Sequence, residues 1–284
     1  MAVNTLSGLD ALELASSEGG PSRAWKIWSA LWPKLAALGL VLLLWQTAFW
    51  LEWRDPWALP APAETFAELW ARAQTPELWN GVLITARRAL MGYGFSLLAG
   101  ITLGLAVARI KVLRIAIGSM ITALQTMPSI AWFPLAILLF QMSEQAIFFV
   151  VVLGAAPSIA NGVIAGIDYV PPLFLRAGRN LGARGLKLYW HVIGPAALPS
   201  FVSGLKQGWA FSWRSLMAGE LIIIGLGKTS LGGQLTFARE LGDAPWVISM
   251  MIVILIFGLL VDFLFSKADR TIRARWGLID HGAA

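Results

Sequence analysis

Six long apolar runs punctuate the chain, at roughly 35–53, 82–107, 115–140, 146–167, 199–226 and 246–266. Each is long enough, or nearly so, to cross about 30 Å of hydrocarbon as a helix. Period-2 alternation is absent, and in lipid a helix satisfies every backbone donor and acceptor within its own segment. The pattern predicts an all-α, polytopic membrane protein with about six transmembrane helices. A basic, partly amphipathic island at 168–198 separates the fourth run from the fifth and predicts short helices on one membrane face.

The ends read differently from the middle. Residues 1–22 are polar, with Asp10, Glu13 and Glu18 ahead of the first base, Arg23. They lack the charged start and small-residue cleavage site of a secretory signal, and are expected to be a disordered cytoplasmic tail. Over 23–34, Trp25, Trp28 and Trp32 share one helical face beside Lys26 and Lys34. That suits a helix lying in the membrane interface; a plain extension of the first span is the alternative. The transmembrane domain then runs over 35–276, with 277–284 as a C-terminal tail.

Composition narrows the class. Hydrophobic residues make up 57% of 284 and charged residues 13%, half the charged share of a soluble protein, about 25%. With no cysteine and only His191 and His281, a disulfide, a thiolate nucleophile or a His-rich metal site is not expected. Orientation follows from the bases near the span ends. One set of loops holds Arg23, Lys26, Lys34, Arg109, Lys111, Arg114, Arg176, Arg179, Arg184, Lys187, Lys267, Arg270, Arg273 and Arg275. The opposite set holds Arg54, Arg72, Lys228 and Arg239. Both termini and the 168–198 loop are therefore expected in the cytoplasm. Segments 54–80 and 227–245, with Thr65 and Thr229, are expected outside.

Ionised side chains inside a span are costly and mark candidate sites. Arg87 and Arg88 are expected to snorkel to the outer headgroups. Arg214 and Glu220 stand on the fifth run about 9 Å apart in rise, so each needs a partner elsewhere, a polar cavity or a bound ion. Asp262 is expected to cap or to pair with cytoplasmic bases. The third run carries Pro128 and Pro134 within Gln125-Thr-Met-Pro-Ser-Ile-Ala-Trp-Phe-Pro134. Pro128 frees a carbonyl one turn earlier, and interrupted helices at mid-membrane often line a solute path. Gln125, Met127, Pro128, Ser129, Arg214 and Glu220 are thus candidate path residues, with a structural kink as the other reading of the break. The pairs Gly100/Gly104, Gly162/Gly166 and Gly204/Gly208 predict close helix packing. Gly225-Leu-Gly-Lys-Thr-Ser230 imitates the end of a P-loop, but Ile222 stands where that motif needs its first Gly. Nucleotide binding by this chain is excluded on that ground, and no catalytic constellation or cofactor site emerges.

Arg176-Ala-Gly178, then Gly182, Val192 and Pro195, keep the spacing of the cytoplasmic loop of bacterial ABC importer permeases, whose pattern is Glu-Ala-Ala, three residues, Gly, nine residues, Ile, one residue, Leu-Pro. Arg176, Gly178 and Gly194 depart from its letters. Leu59-Pro-Ala-Pro62, Met127 to Pro134, Pro195-Ala-Ala-Leu-Pro199 and Trp213 to Glu220 resemble segments of the nitrate, sulfonate, taurine and bicarbonate branch, in the same order. The resemblance covers residues 59–276. It implies a type I permease fold in the bacterial inner membrane. A second copy of the chain, two ATP-binding cassette ATPase subunits carrying the ATP and Mg, and an extracytoplasmic binding protein are the implied partners. Arg176, Ala177, Gly178, Leu181, Gly182, Ala183, Arg184 and Leu188 would meet the ATPase. A small anion, an organic sulfonate or else nitrate or bicarbonate, is the implied solute. A secondary transporter and an integral membrane enzyme are the alternatives.

Overall fold

In a computed structural model of the protein, residues 23–55, 57–223 and 230–275 are described. The expected tails at 1–22 and 277–284, and most of the P-loop-like segment, lie outside them. The regular elements among the described residues are all helices, and two units divide after Glu64.

In the first unit, helix α1 runs unbroken over Arg23–Trp50, with Pro33 inside it. Residues 23–34 are therefore one helix with the first span rather than an element of their own. None of its most apolar stretch is buried. Trp45 Nε1 donates to the Pro60 carbonyl at 3.0 Å.

The second unit is built round helix α6. In chain order it holds most of α2 (Pro62–Ala73), then α3 (Pro76–Arg109), α4 (Lys111–Thr126), α5 (Phe133–Phe140), α6 (Glu144–Asp168), α7 (Pro172–Asn180), α8 (Gly194–Ile222), α9 (Leu231–Glu240) and α10 (Ala244–Arg275). Burial ranks them: 61% of the most apolar stretch of α6 is buried, against 28% in α3 and 11% in α10. A helix apolar all round is a core helix or a lipid-facing one, and α6 is the first kind.

Small residues bring α3 and α8 onto α6. A Cβ on Gly162 would lie 2.6 Å from the Gly204 Cα, one on Gly100 2.7 Å from the Ala156 carbonyl, and one on Gly104 2.8 Å from Val163 Cβ. These are the glycines whose four-residue spacing predicts close approach. Tyr93 then locks α3 to α8: its ring meets Trp209 edge-on at 5.4 Å, and its hydroxyl donates to the Leu205 carbonyl at 2.9 Å.

Among the described residues, four helices are long and apolar enough to cross a membrane: 31–50 of α1, α3, α6 and α10. The third run makes a fifth if its halves count together. It is broken between Thr126 and Ser129 and bent by 107°. The reason is local: Met127 and Pro128 are extended, at ψ 126 and 128, as a residue before proline must be. Helix α8, the fifth run, has the length, 29 residues, but carries Lys206, Arg214 and Glu220 and is not among the four.

Candidate functional site

Of the three charges on helix α8, Glu220 and Arg214 have opposite surroundings. The Glu220 side chain is fully enclosed. Its carboxylate accepts from Thr85 Oγ1 at 2.9 Å, from Arg88 Nη1 at 3.1 Å and from the Gly232 amide at 3.0 Å. Hydrogen bonds in which one partner carries charge are stronger than neutral ones. Arg88 turns its other edge to Glu144, with Nε at 2.9 Å and Nη2 at 2.8 Å. Thr85 in turn accepts from the Leu231 amide at 3.0 Å.

This cluster completes the start of α9. A helix opens with four amides that have no partner inside it. Leu231 finds Thr85 and Gly232 finds Glu220, while Gly233 donates to the Ser230 hydroxyl, the N-cap. The positive end of the helix dipole faces a carboxylate, the favourable sign. Gly232 makes the approach possible, since a Cβ there would sit 2.4 Å from Glu220 Cβ. Arg88 does not snorkel: it is 6% exposed and bridges two carboxylates. Arg87 is exposed. Sequence reasoning saw the cost of Glu220 but not Thr85, Arg88 or Glu144, which lie far off along the chain.

Arg214 is exposed, and no described carboxylate pairs with it; its guanidinium lies 5.1 Å from the Phe211 ring. It borders a groove of about 430 Å³ between α8 and α10, with Trp213, Met217, Leu255 and Asp262. Ser203 and Gln207, also exposed, occupy the same helical face as Arg214. Lys206, which the sequence reading passed over, reaches Asp262 at 3.5 Å and Ser266 Oγ at 2.7 Å. Asp262 therefore pairs with a base on a neighbouring span rather than with the cytoplasmic bases.

The break in the third span lies beside α6 and α8. Gln125 donates to Ser158 Oγ at 3.2 Å. Gly154 is the shared neighbour: a Cβ there would meet Ser215 Oγ at 2.6 Å and Ser129 Cβ at 3.5 Å. The hydroxyls of Ser212 and Ser215 are buried without a partner. Met127 and Pro128 are exposed and Ser129 half-buried. Arg214 is not brought into contact with Gln125 to Ser129, and Glu220 is sealed away from both.

The basic island forms α7, a single helical turn at Leu186–Leu188 and a wide turn over Tyr189–Ile193. Helix α7 ends in a Schellman motif: the Ala183 amide donates to the Gly178 carbonyl and the Gly182 amide to the Arg179 carbonyl. Gly182 sits at φ 83, the left-handed conformation this cap assigns to glycine. Gly178 is buried, and a Cβ there would lie 2.7 Å from Val192 Cγ2 and 3.1 Å from Leu188 Cδ1. That contact explains a departure from the motif: with Val192 and Leu188 packed in, an alanine does not fit. Arg176, Ala177, Leu181, Gly182 and Arg184 are exposed, Ala183 is half-buried and Leu188 buried. Leu181, at 88% exposure, is an apolar side chain held out from the loop.

Residues 97–274, more than half of the chain, match the family of binding-protein-dependent transport system inner membrane components. The chain belongs to this family. The taurine transport system permease protein TauC of Escherichia coli (strain K12) is 27% identical over 233 residues, 80% of this chain and 84% of TauC. The putative aliphatic sulfonates transport permease protein SsuC of the same strain is 29% identical over 261 residues, 92% of this chain and 97% of SsuC. A solved structure of the MetNI methionine ABC transporter in inward-facing conformations shares the fold, with a TM-score of 0.57 at 20% identity over 70% of this chain and 99% of that one. The permease is thus a membrane component of an ABC importer, a transport subunit rather than an enzyme. The secondary-transporter and membrane-enzyme alternatives fall with that assignment. A permease of this kind works with an ATPase and a substrate-binding protein in a dimeric membrane arrangement.

Proposed function

We propose that the permease forms a homodimeric path for a small oxyanion, an organic sulfonate before nitrate or bicarbonate. Two ATP-binding cassette subunits, which hold the ATP and Mg, drive it, and an extracytoplasmic binding protein feeds it. The carrying observation is the unpaired Arg214 on the polar face Ser203, Gln207 and Arg214 of a membrane helix. A charge facing lipid costs at least about 2.5–3.5 kcal/mol, so this face borders water or a second copy. A guanidinium in a low-dielectric wall attracts an oxyanion strongly, and its planar fork matches two oxygens of a sulfonate. Relatives named for taurine and aliphatic sulfonates support the solute class.

Gln125, Met127, Pro128 and Ser129 belong to the same path, where the third span is broken. Glu220 does not touch the solute; it holds α9 to α3 and α8. Both termini and the 168–198 loop are cytoplasmic, and Leu181, Gly182, Ala183 and Arg184 dock into the ATPase, with Arg176, Ala177 and Gly178 behind them and Leu188 holding the loop together. Reconstitution with the ATPase and the binding protein tests the whole. Taurine or another sulfonate should be taken up on addition of ATP. Assembly without uptake of any small oxyanion overturns the solute class, and failure of the ATPase to co-purify overturns the assembly.

A further inference from the structure

A second groove, of about 350 Å³, lies under the basic loop, away from Arg214. Its walls include Leu105, Val163, Ile167 and Phe201, from α3, α6 and α8. At its edge the Arg109 guanidinium lies 3.7 Å from the Tyr189 ring centroid, a cation–π contact that fixes its position. No described carboxylate pairs with Arg109; the nearby Asp168 is engaged by Arg114. Lys111 and Lys187, two residues from Arg109 and Tyr189, are exposed. Trp190 at 77% and Leu186 at 73% exposure also border it.

We infer that this groove is a binding site for an anionic phospholipid of the cytoplasmic leaflet. Its volume lies within the range of small-ligand pockets, about 300–1,000 Å³, and its lining is hydrocarbon. Its edge offers cations with a free guanidinium, and the cytoplasmic leaflet supplies anionic headgroups. One acyl chain enters between α3 and α8, and the phosphodiester meets Arg109. Trp190 lies at headgroup depth, where tryptophan is favoured. Because Tyr189 belongs to the loop that meets the ATPase, an occupied groove steadies that loop. This rests on the proposed cytoplasmic side of the loop, which thiol labelling checks independently of any lipid.

The test uses the complete transporter, permease with ATPase subunits, from vesicles of phosphatidylethanolamine and phosphatidylglycerol. Native mass spectrometry counts the lipid kept through delipidation. Wild type should retain phosphatidylglycerol in preference to phosphatidylethanolamine. Arg109→Gln should lower that preference about fivefold, the effect of one base at an anionic surface, and Leu105→Trp, which fills the groove, should remove retention of both. Either variant that fails to assemble is replaced by Phe201→Trp, with the same expectation as Leu105→Trp. Equal retention of the two lipids by wild type overturns the inference. So does unchanged retention in the variants, or retention by the permease alone that is lost when the ATPase binds, which would mean that the ATPase covers the groove.

Discussion

Glu220 and Arg214 stand on one helix, and everything around them differs. Glu220 is enclosed and meets Thr85, Arg88 and the start of α9. Arg214 is exposed, and its guanidinium lies near the Phe211 ring with no described carboxylate paired to it. On sequence the two are equivalent, each an expensive charge inside an apolar run. What separates them is accounting. Glu220 has its donors supplied and is part of the frame, whereas no described carboxylate pairs with Arg214. That difference gives α8 two faces: one fastens the frame, and the other, with Ser203 and Gln207 exposed beside Arg214, is the one proposed to meet the solute.

Breaking the frame side should have the largest effect. Glu220→Ala leaves Arg88 buried beside Glu144 alone and takes the acceptor from the Gly232 amide at the start of α9. Removing one partner of a buried pair costs about 3–5 kcal/mol, so the permease should fail to accumulate in membranes, read by quantitative blotting. Arg88→Met should do the same. Accumulation at the wild-type level in both would mean that the cluster is dispensable.

On the other face, Arg214→Ala should leave accumulation and ATPase binding intact and lower uptake about tenfold to a hundredfold, the range of one hydrogen bond to a charged group. A thermal unfolding midpoint equal to wild type would set the two charges apart cleanly. In the loop, Gly182→Val faces open space but forces a β-branched residue to φ 83, a strain of about 1–2 kcal/mol. Solute-stimulated ATPase activity should fall while the spans stay folded. Smallest of all, Ser203→Ala and Gln207→Ala should each lower uptake about two- to tenfold, since a neutral hydrogen bond contributes about 0.5–1.5 kcal/mol. If they match Arg214→Ala, the charge has no special standing on that face.

Much of the frame was legible because its signals are local. Gly100/Gly104, Gly162/Gly166 and Gly204/Gly208 announced close packing by spacing, and Pro128 announced the break. The Glu220 cluster was not legible. Its members come from α3, α6, α8 and α9, and no periodicity relates residues so far apart. Arg88 was misread for the same reason: without Glu144 and Glu220 beside it, an arginine near a span end is expected to snorkel. Lys206 escaped notice because its partner, Asp262, lies on another span. Thr65, an attractive outward probe on sequence, is fully buried, because α2 folds back against Ser249. Gln74 and Glu240 are exposed and take its place for labelling from outside.

The central claim is that Arg214 faces a polar path rather than lipid. Arg214→Cys tests it directly, in a chain with no other cysteine. The thiolate, which forms in water and not in hydrocarbon, attacks a methanethiosulfonate and displaces methanesulfinate to form a mixed disulfide. In proteoliposomes holding the full transporter, the variant should take up sulfonate poorly. A positively charged methanethiosulfonate should react with it and restore part of the uptake, while a negatively charged one should react and restore none. Wild-type uptake before modification, or a thiol that neither reagent reaches during turnover, would contradict the account.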